Sequence, residues 1–362
     1  LSAMQNLLLL HLTAACVATR ANPTTTESMW ASPDVTPCDA DCKQRLPEPP
    51  GGRARAERHL GLASSAITGM LYPEAGSKNS GCGGRQNPER CFGINLPFNA
   101  TMRYRGDDWP SAGVTMIGVH RLRNFREAVE SVIANGIQGD IAELGVWRGG
   151  ASIFARTVVD AYGEGAKRRS LVFDAFESIS AYGFASPYLA VSERQVRSNF
   201  AKYGVLDEPQ VRFYKGFFNV SVPAFRASEP DSPPIAVLRV DGNFYSSYQD
   251  AFYALYERVP KGGIVILDDV GSHHAVQLFW SHFVKDYGIT ERLHPVGPHE
   301  AWFRKRTMAK LDRSKYRQVQ LPELSGYSVT FAGDSKPQDM SVLPPKPARQ
   351  WGKWAMEDES RV

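Results

Sequence analysis

The chain has 362 residues and is 43% hydrophobic, enough for a packed core and too apolar for a wholly disordered protein. Its 42 basic and 38 acidic residues give a formal charge of +4 but are mixed along the sequence, which disfavours nucleic acid as a partner.

The longest early apolar run, Leu7 to Ala18, is too short to span a bilayer as an ordinary helix, so no stable membrane span is expected. With the small residues Ala18 and Ala21 at its end, it reads as the core of a signal or targeting segment over 1–21, although the usual preceding positive charge is missing. From 22 to 103 the sequence is rich in Pro, Gly, Ser and Thr, shows no sustained period, and reads as a stalk or linker. Cys16 falls in the leader, and Cys38, Cys42, Cys82 and Cys91 fall in the stalk. That set suits two disulfides in an oxidising compartment better than a zinc site, which wants tighter pairs or nearby histidines. The expected location is the secretory lumen or outside the cell, with an organelle or the cytoplasm as alternatives. Sequons at Asn99 and Asn219 would be glycan acceptors in that compartment.

From 104 to 306 helix and strand patterns alternate. Val119, Leu122, Phe125, Val129, Val132 and Ile133 recur at helical spacing, so an amphipathic helix is expected over 119–135. Short apolar runs predict strands at Asp140–Leu144, Leu171–Phe173, Val211–Tyr214, Ile235–Val240 and Ile264–Leu267. A helix over Ser247–Val259 has a capping box in Ser247 and Asp250, and Pro260-Lys261-Gly262-Gly263 ends it. Strand and helix in alternation predict an α/β fold, a doubly wound, mostly parallel sheet with helices on both faces. The proline-containing stretch 307–362 reads as a C-terminal extension.

In such sheets, ligands bind beyond the carboxyl ends of the strands. After the first strand come Glu143-Leu144-Gly145-Val146-Trp147-Arg148-Gly149-Gly150, whose glycines allow a sharp turn and close approach to a ligand. The pattern G-x-G-x-x-G is absent, which disfavours a nicotinamide oxidoreductase. An acid two residues before the first glycine instead suits S-adenosylmethionine, whose amino-acid end it could meet. Asp174, ending the second strand, is expected to accept hydrogen bonds from the ribose hydroxyls, with Phe176 near the adenine. The third strand runs into Lys215-Gly216-Phe217-Phe218, a bend that could flank the same base.

Asp241 closes the fourth strand and Asp268-Asp269 the fifth, so three carboxylates converge on one sheet edge. They repel unless a cation or protons intervene. Oxygen ligands suit Mg²⁺, with Mn²⁺ or Ca²⁺ as alternatives, and the lack of a His/Cys cluster argues against zinc. A metal there could act as Lewis acid on an acceptor hydroxyl. Asp241, His273 and His274 are the candidates for the base that removes its proton.

The ordered set GDIAELGVWRGGASIFAR, FDAFES, LAVSERQVRSNFAKYGVLDEPQVRFYKGFF, IAVLRVDGNFYSSYQDAFYALYERVPKGG and VILDDVG resembles the macrocin O-methyltransferase family of TylF and MycF type. The resemblance runs from Thr115 to Arg304 and implies a class I, Rossmann-like methyltransferase fold. It implies S-adenosylmethionine at Glu143 through Gly149, at Asp174, and near Ser192 and Gly216. It implies Mg²⁺ at Asp241, Asp268 and Asp269, with a sugar or other small-molecule or glycan hydroxyl as acceptor and a homo-oligomeric assembly. Leu144, Ala175, Asn243, Val270 and the SHHAV loop depart from the family pattern, and none of these removes a metal ligand or the ribose acid. Another class of function carried alongside is a lumenal binding protein that keeps the fold without turnover.

Overall fold

The computed structural model describes residues 29–32, 35–73, 76–78, 97–180 and 186–317. The expected leader over 1–21, Cys16, Cys82, Cys91 and most of the C-terminal extension lie outside the described residues.

Two helices open the chain, α1 (Ala40–Arg45) and α2 (Arg53–Ile67), followed by the short antiparallel pair β1 (Gly76–Lys78) and β2 (Asp108–Pro110) flanking α3 (Ala100–Arg105). The α/β body then runs α4 (Gly118–Ala134), β3 (Asp140–Leu144), α5 (Gly150–Ala161), β4 (Ser170–Asp174), α6 (Ser186–Leu189), α7 (Glu193–Lys202) and β5 (Val211–Lys215). It continues α8 (Phe218–Ser228), β6 (Ile235–Val240), α9 (Tyr245–Leu255), β7 (Ile264–Leu267), α10 (His274–Tyr287), β8 (His294–Val296) and β9 (Glu300–Arg304).

The seven-stranded sheet has the order β5-β4-β3-β6-β7-β9-β8, parallel across the first five strands and antiparallel at β9 and β8. Side chains alternate across the pleat. Ile141, Val172, Val237 and Ile266 face α4, α5 and α7, while Ala142, Leu171, Leu238 and Val265 face α8, α9 and α10. Each face is a separate apolar layer, and burial of a Leu or Phe such as Leu122 or Phe125 contributes roughly 1.5–3 kcal/mol. No helix among the described residues is long and apolar enough to cross a membrane.

The five expected strands are all present, within one residue at each end. Strands β8 and β9 were not foreseen, because three and five residues with a proline and a charge carry little periodic signal. Helix α9 starts at Tyr245, capped by Phe244 without a side-chain hydrogen bond, so Ser247 lies inside the helix and the expected capping box does not form. Asp250 instead accepts from the Tyr316 hydroxyl.

The stretch read as stalk is partly folded. Leu60 and Ile67 of α2 are fully buried, and α2 packs on α5 while α1 packs on α4. The signal was weak because α2 places its apolar residues far apart among Arg, Glu and Ser. Cys38 and Cys42 form a disulfide across α1, with Cα atoms 5.1 Å apart.

Candidate active site

The chain runs outward from β3 to β4 to β5, then returns to β6 and β7 on the other side of β3. That reversal leaves a crevice between the carboxyl ends of β3 and β6, where α/β sheets bind ligands. A cavity of about 610 Å³ occupies it, with Glu143, Gly145, Val146 and Trp147 on one side, Asp174 and Glu177 next to them, and Arg239 and Asp241 opposite.

The backbone at this edge is forced. Trp147, Phe176, Asn243 and Asp269 have φ between 49° and 58° and follow β3, β4, β6 and β7 in turn. Side chains rarely adopt this region, and such residues cluster where packing over-determines a functional turn. Gly145 has φ 87°, and a Cβ on it would stand 1.9 Å from the Asp241 carbonyl oxygen. Glycine is therefore required there to let β3 and β6 close on each other.

Asp174 ties the glycine turn to the next strand. Its Oδ2 accepts from the Val146 amide at 2.8 Å and the Trp147 amide at 3.3 Å, and its Oδ1 from the Phe176 amide at 2.9 Å. Burial pushes this carboxyl up, and the amides of Phe176, Val146, Trp147 and Ala175 pull it back. Asp174 itself lines the cavity. Trp147 is braced by the Arg148 guanidinium, 4.1 Å from its ring centroid, and by the ring of Tyr188.

Across the crevice, Arg239 sits fully buried in the middle of an apolar strand. In register with Glu143, it donates to Glu143 at 2.8 Å, Asp268 at 2.7 Å, Asp241 at 3.1 Å and Glu300 at 3.3 Å. Arg121 from α4 adds two bonds to Asp268 at 2.7 and 2.9 Å, and Asn124 donates to Glu300 at 2.9 Å. Ser152 donates to the second oxygen of Glu143. Although burial opposes it, Arg121 and Arg239 hold Asp268 well below the usual carboxylate range. Burial, then Asp268, drives Asp241 well above that range, against Arg239. Asp241 keeps 24% side-chain exposure, against 3% for Asp268, and is the acid of the pair that reaches the cavity.

Asp241 and Asp268, at the ends of β6 and β7, share the Arg239 guanidinium, while Asp269 acts on Asp241 through its charge and lies beside His273. No group of three or more His, Cys, Asp and Glu side chains among the described residues forms a ready-made metal cage. The donor chemistry nevertheless fits Mg²⁺. Five carboxyl groups, those of Glu143, Asp241, Asp268, Asp269 and Glu300, stand against the two cations Arg121 and Arg239, and the crowding that raises Asp241 and Glu300 is the kind that a divalent cation relieves in place of a proton.

The other expected residues are more dispersed. Leu144 is core, and Arg148 clasps the carbonyls of Pro110, Ser111 and Gly113. Gly149 caps α5, where a Cβ would press on Val196 and Phe200. Ser192 caps α7, accepting from Gln195 at 3.3 Å, and α7 supports the turn through Asn199, which donates to the Arg148 carbonyl at 2.9 Å. Gly216, at φ 130°, accepts from the Ser221 hydroxyl at 3.0 Å and so aims Phe217 and Phe218 at the cavity. His273 caps α10 with Nδ1 3.3 Å from Asp269, and neither it nor His274 is on the cavity wall.

Sequence reasoning missed Arg239, Arg121 and Glu300, although an arginine inside the run IAVLRV is itself a signal, since a charge in a buried strand demands partners. It also missed Tyr316 and Arg317. The Arg317 amide donates to Gln249 at 2.9 Å, its carbonyl accepts from the same side chain at 2.7 Å, and both residues complete the cavity wall.

The sequence profile described as Macrocin-O-methyltransferase (TylF) matches residues 86–305. The 8-demethyl-8-(2,3-dimethoxy-alpha-L-rhamnosyl)-tetracenomycin-C 4'-O-methyltransferase of Streptomyces olivaceus is 38% identical over 224 residues, 58% of this chain and 78% of that one. The mycinamicin III 3''-O-methyltransferase of Micromonospora griseorubida is 37% identical over 188 residues, 48% of this chain and 71% of that one. The structure of the O-methyltransferase NovP superposes with a TM-score of 0.60 at 30% identity, covering 70% of this chain and 100% of that one. The chain thus belongs to the macrocin O-methyltransferase (TylF) family of S-adenosylmethionine-dependent enzymes and is an O-methyltransferase.

Proposed function

We propose that this enzyme transfers the methyl group of S-adenosylmethionine to a hydroxyl of a sugar or glycosylated small molecule with the help of Mg²⁺. The observation that carries the reading is one cavity of about 610 Å³ with the Gly145 turn on one side and Asp241 on the other. Donor and acceptor can therefore meet in a single confined space, which is what an in-line displacement needs. The acceptor class follows the relatives, named for rhamnosyl-tetracenomycin and mycinamicin substrates.

In this reading Glu143, fixed by Arg239 and Ser152, faces the cofactor's ammonium end, and Asp174, on the cavity wall, accepts from a ribose hydroxyl. Asp241, Asp268 and Asp269 would hold Mg²⁺, which supplies Lewis acidity toward the acceptor oxygen. Asp241 takes the hydroxyl proton, in preference to His273 and His274, because it alone of the three lines the cavity. Calorimetry with S-adenosylmethionine, followed by labelled methyl transfer to a panel of glycosylated acceptors with and without Mg²⁺, tests each part. A wild-type protein that fails to bind S-adenosylmethionine removes the donor assignment, and undiminished turnover in a chelator removes the metal.

The same reading puts the chain in the secretory lumen or outside the cell, supported by the Cys38–Cys42 disulfide, a bond that persists in oxidising compartments. Free thiols at both positions in protein trapped by alkylation from its native source would exclude that location.

A further inference from the structure

A second cavity, about 780 Å³, lies at the opposite edge of the sheet from the methyl-transfer site. Its walls are the segment from Val35 to Arg45, the chain entering β3 at Ile137, Gly262 ahead of β7, and the β8–β9 pair. Four arginines face it: Arg45, Arg292, Arg304 and Arg306.

None of the four is neutralised by an ion pair among the described residues. Arg45 donates to the Asp41 carbonyl and the Asn135 amide oxygen, both at 3.2 Å. Arg304 donates to the Gly262 carbonyl at 3.1 Å, the Pro37 carbonyl at 3.0 Å and the Ser131 hydroxyl at 2.8 Å. The guanidiniums of Arg292 and Arg306 have no hydrogen-bond or ion-pair partner among the described residues. The two acids on the wall are occupied by backbone. Asp39 accepts from the Cys42 amide at 2.8 Å, and Glu291 accepts from the Arg306 and Thr307 amides at 2.6 Å each. Four guanidiniums against two carboxylates leave the wall two charges positive.

That surplus is felt by its neighbours. Burial, then the charge of Arg306, with Asp39 opposing and Arg45 adding to it, holds Arg304 below the usual guanidinium range. Burial, with Arg306 and Arg304 adding to it and the Ser32 carbonyl opposing, holds the His294 imidazole low as well. A concave wall of one sign concentrates the opposite ion, and guanidiniums present paired N–H donors that match tetrahedral oxyanions. The His294 ring, stacked on Trp302 with centroids 4.6 Å apart, adds an aromatic surface beside these donors.

We propose that this cavity binds an oxyanion, a phosphate or sulfate group either free or carried as an ester on a small molecule, at a site distinct from the methyl-transfer cavity. The Arg45 wall precedes residues 86–305, the span shared with the family, so the site is assembled only where this chain's own N-terminal segment folds onto the sheet.

Inorganic phosphate, inorganic sulfate and a nucleoside diphosphate, each titrated calorimetrically at low salt into the full chain, provide the test. The comparison protein carries Arg292→Gln with Arg306→Gln, two exposed positions whose replacement spares the core. Wild type should bind saturably with shifts in the His294 and Trp302 ring signals, and the double variant about tenfold more weakly, while both bind S-adenosylmethionine equally. Equal affinity for phosphate and the diphosphate identifies a free-ion site, and tighter binding of the diphosphate identifies an ester. Absence of saturable binding, unchanged affinity in the double variant, or displacement by S-adenosylmethionine would overturn the proposal.

Discussion

At the carboxyl edge of the sheet, Arg239 and Arg121 meet Glu143, Asp241, Asp268 and Glu300 through bonds of 2.7 to 3.3 Å, all within the fold. At the other edge, Arg45, Arg292, Arg304 and Arg306 line a cavity and find, among the described residues, only neutral acceptors or none. The physical difference is access to water. Buried ions must be paired because desolvation costs several kcal/mol per ion, while an exposed guanidinium keeps its hydration. The first arrangement fixes geometry for chemistry, and the second holds charge in reserve for a ligand.

The largest test of that contrast is Arg239→Met. It leaves several carboxylates buried without their shared cation and should cost about 3–5 kcal/mol in denaturant unfolding. A loss under about 1 kcal/mol would mean that the network is not holding the two sheet halves together. Asp241→Asn comes next: methyl transfer should fall by about 100-fold or more while S-adenosylmethionine affinity stays near that of wild type. Equal loss of both would assign Asp241 to cofactor binding rather than to the acceptor side.

Asp174→Asn keeps the size of the side chain but leaves one oxygen to serve three amides, so the glycine turn loosens. We expect cofactor affinity to weaken by about tenfold, consistent with loss of a charge-assisted hydrogen bond. Unaltered affinity would remove Asp174 from the cofactor site.

Glu300 gives a pH test of the same edge. Burial raises its carboxyl from the ordinary 4.5 to about 7, with Arg239 opposing and Asp268 reinforcing the rise. The folded chain therefore holds this proton more tightly than the unfolded chain. Its contribution is complete below about pH 4.5 and is lost as pH rises through about 7. Glu300→Gln should flatten the fall of stability across that window, measured as unfolding free energy against pH, and an unchanged slope would contradict the assignment. At the small end, Arg292→Gln should change stability by no more than about 0.5 kcal/mol. A large loss there would show that this arginine is paired after all and would erase the contrast between the edges.

Much of the molecule is legible in the sequence itself. Of the five parallel strands, β3, β4, β6 and β7 announced themselves as short apolar runs buried on both faces, the half-exposed edge strand β5 as a shorter one, and the strand ends carry the residues that line the crevice. The turn after β3 was legible through Gly145, whose lack of a side chain is dictated by the Asp241 carbonyl against it. The stalk reading failed at α2 because that helix is stabilised by docking on α5 rather than by its own pattern. The capping box at Ser247 failed for a related reason: the strained turn at Asn243 starts the helix early, whatever Ser247 offers.

What the sequence determined by itself is the order of strands and helices and the family, since apolar period and motif spacing are properties of neighbouring residues. Only the tertiary structure decided how charge is shared. Glu143 and Glu300 lie 157 positions apart yet share one arginine, and residues 316 and 317 close a cavity begun near 143. Pairing across a sheet depends on register and on which groups are removed from water together, and neither quantity exists until the chain has folded.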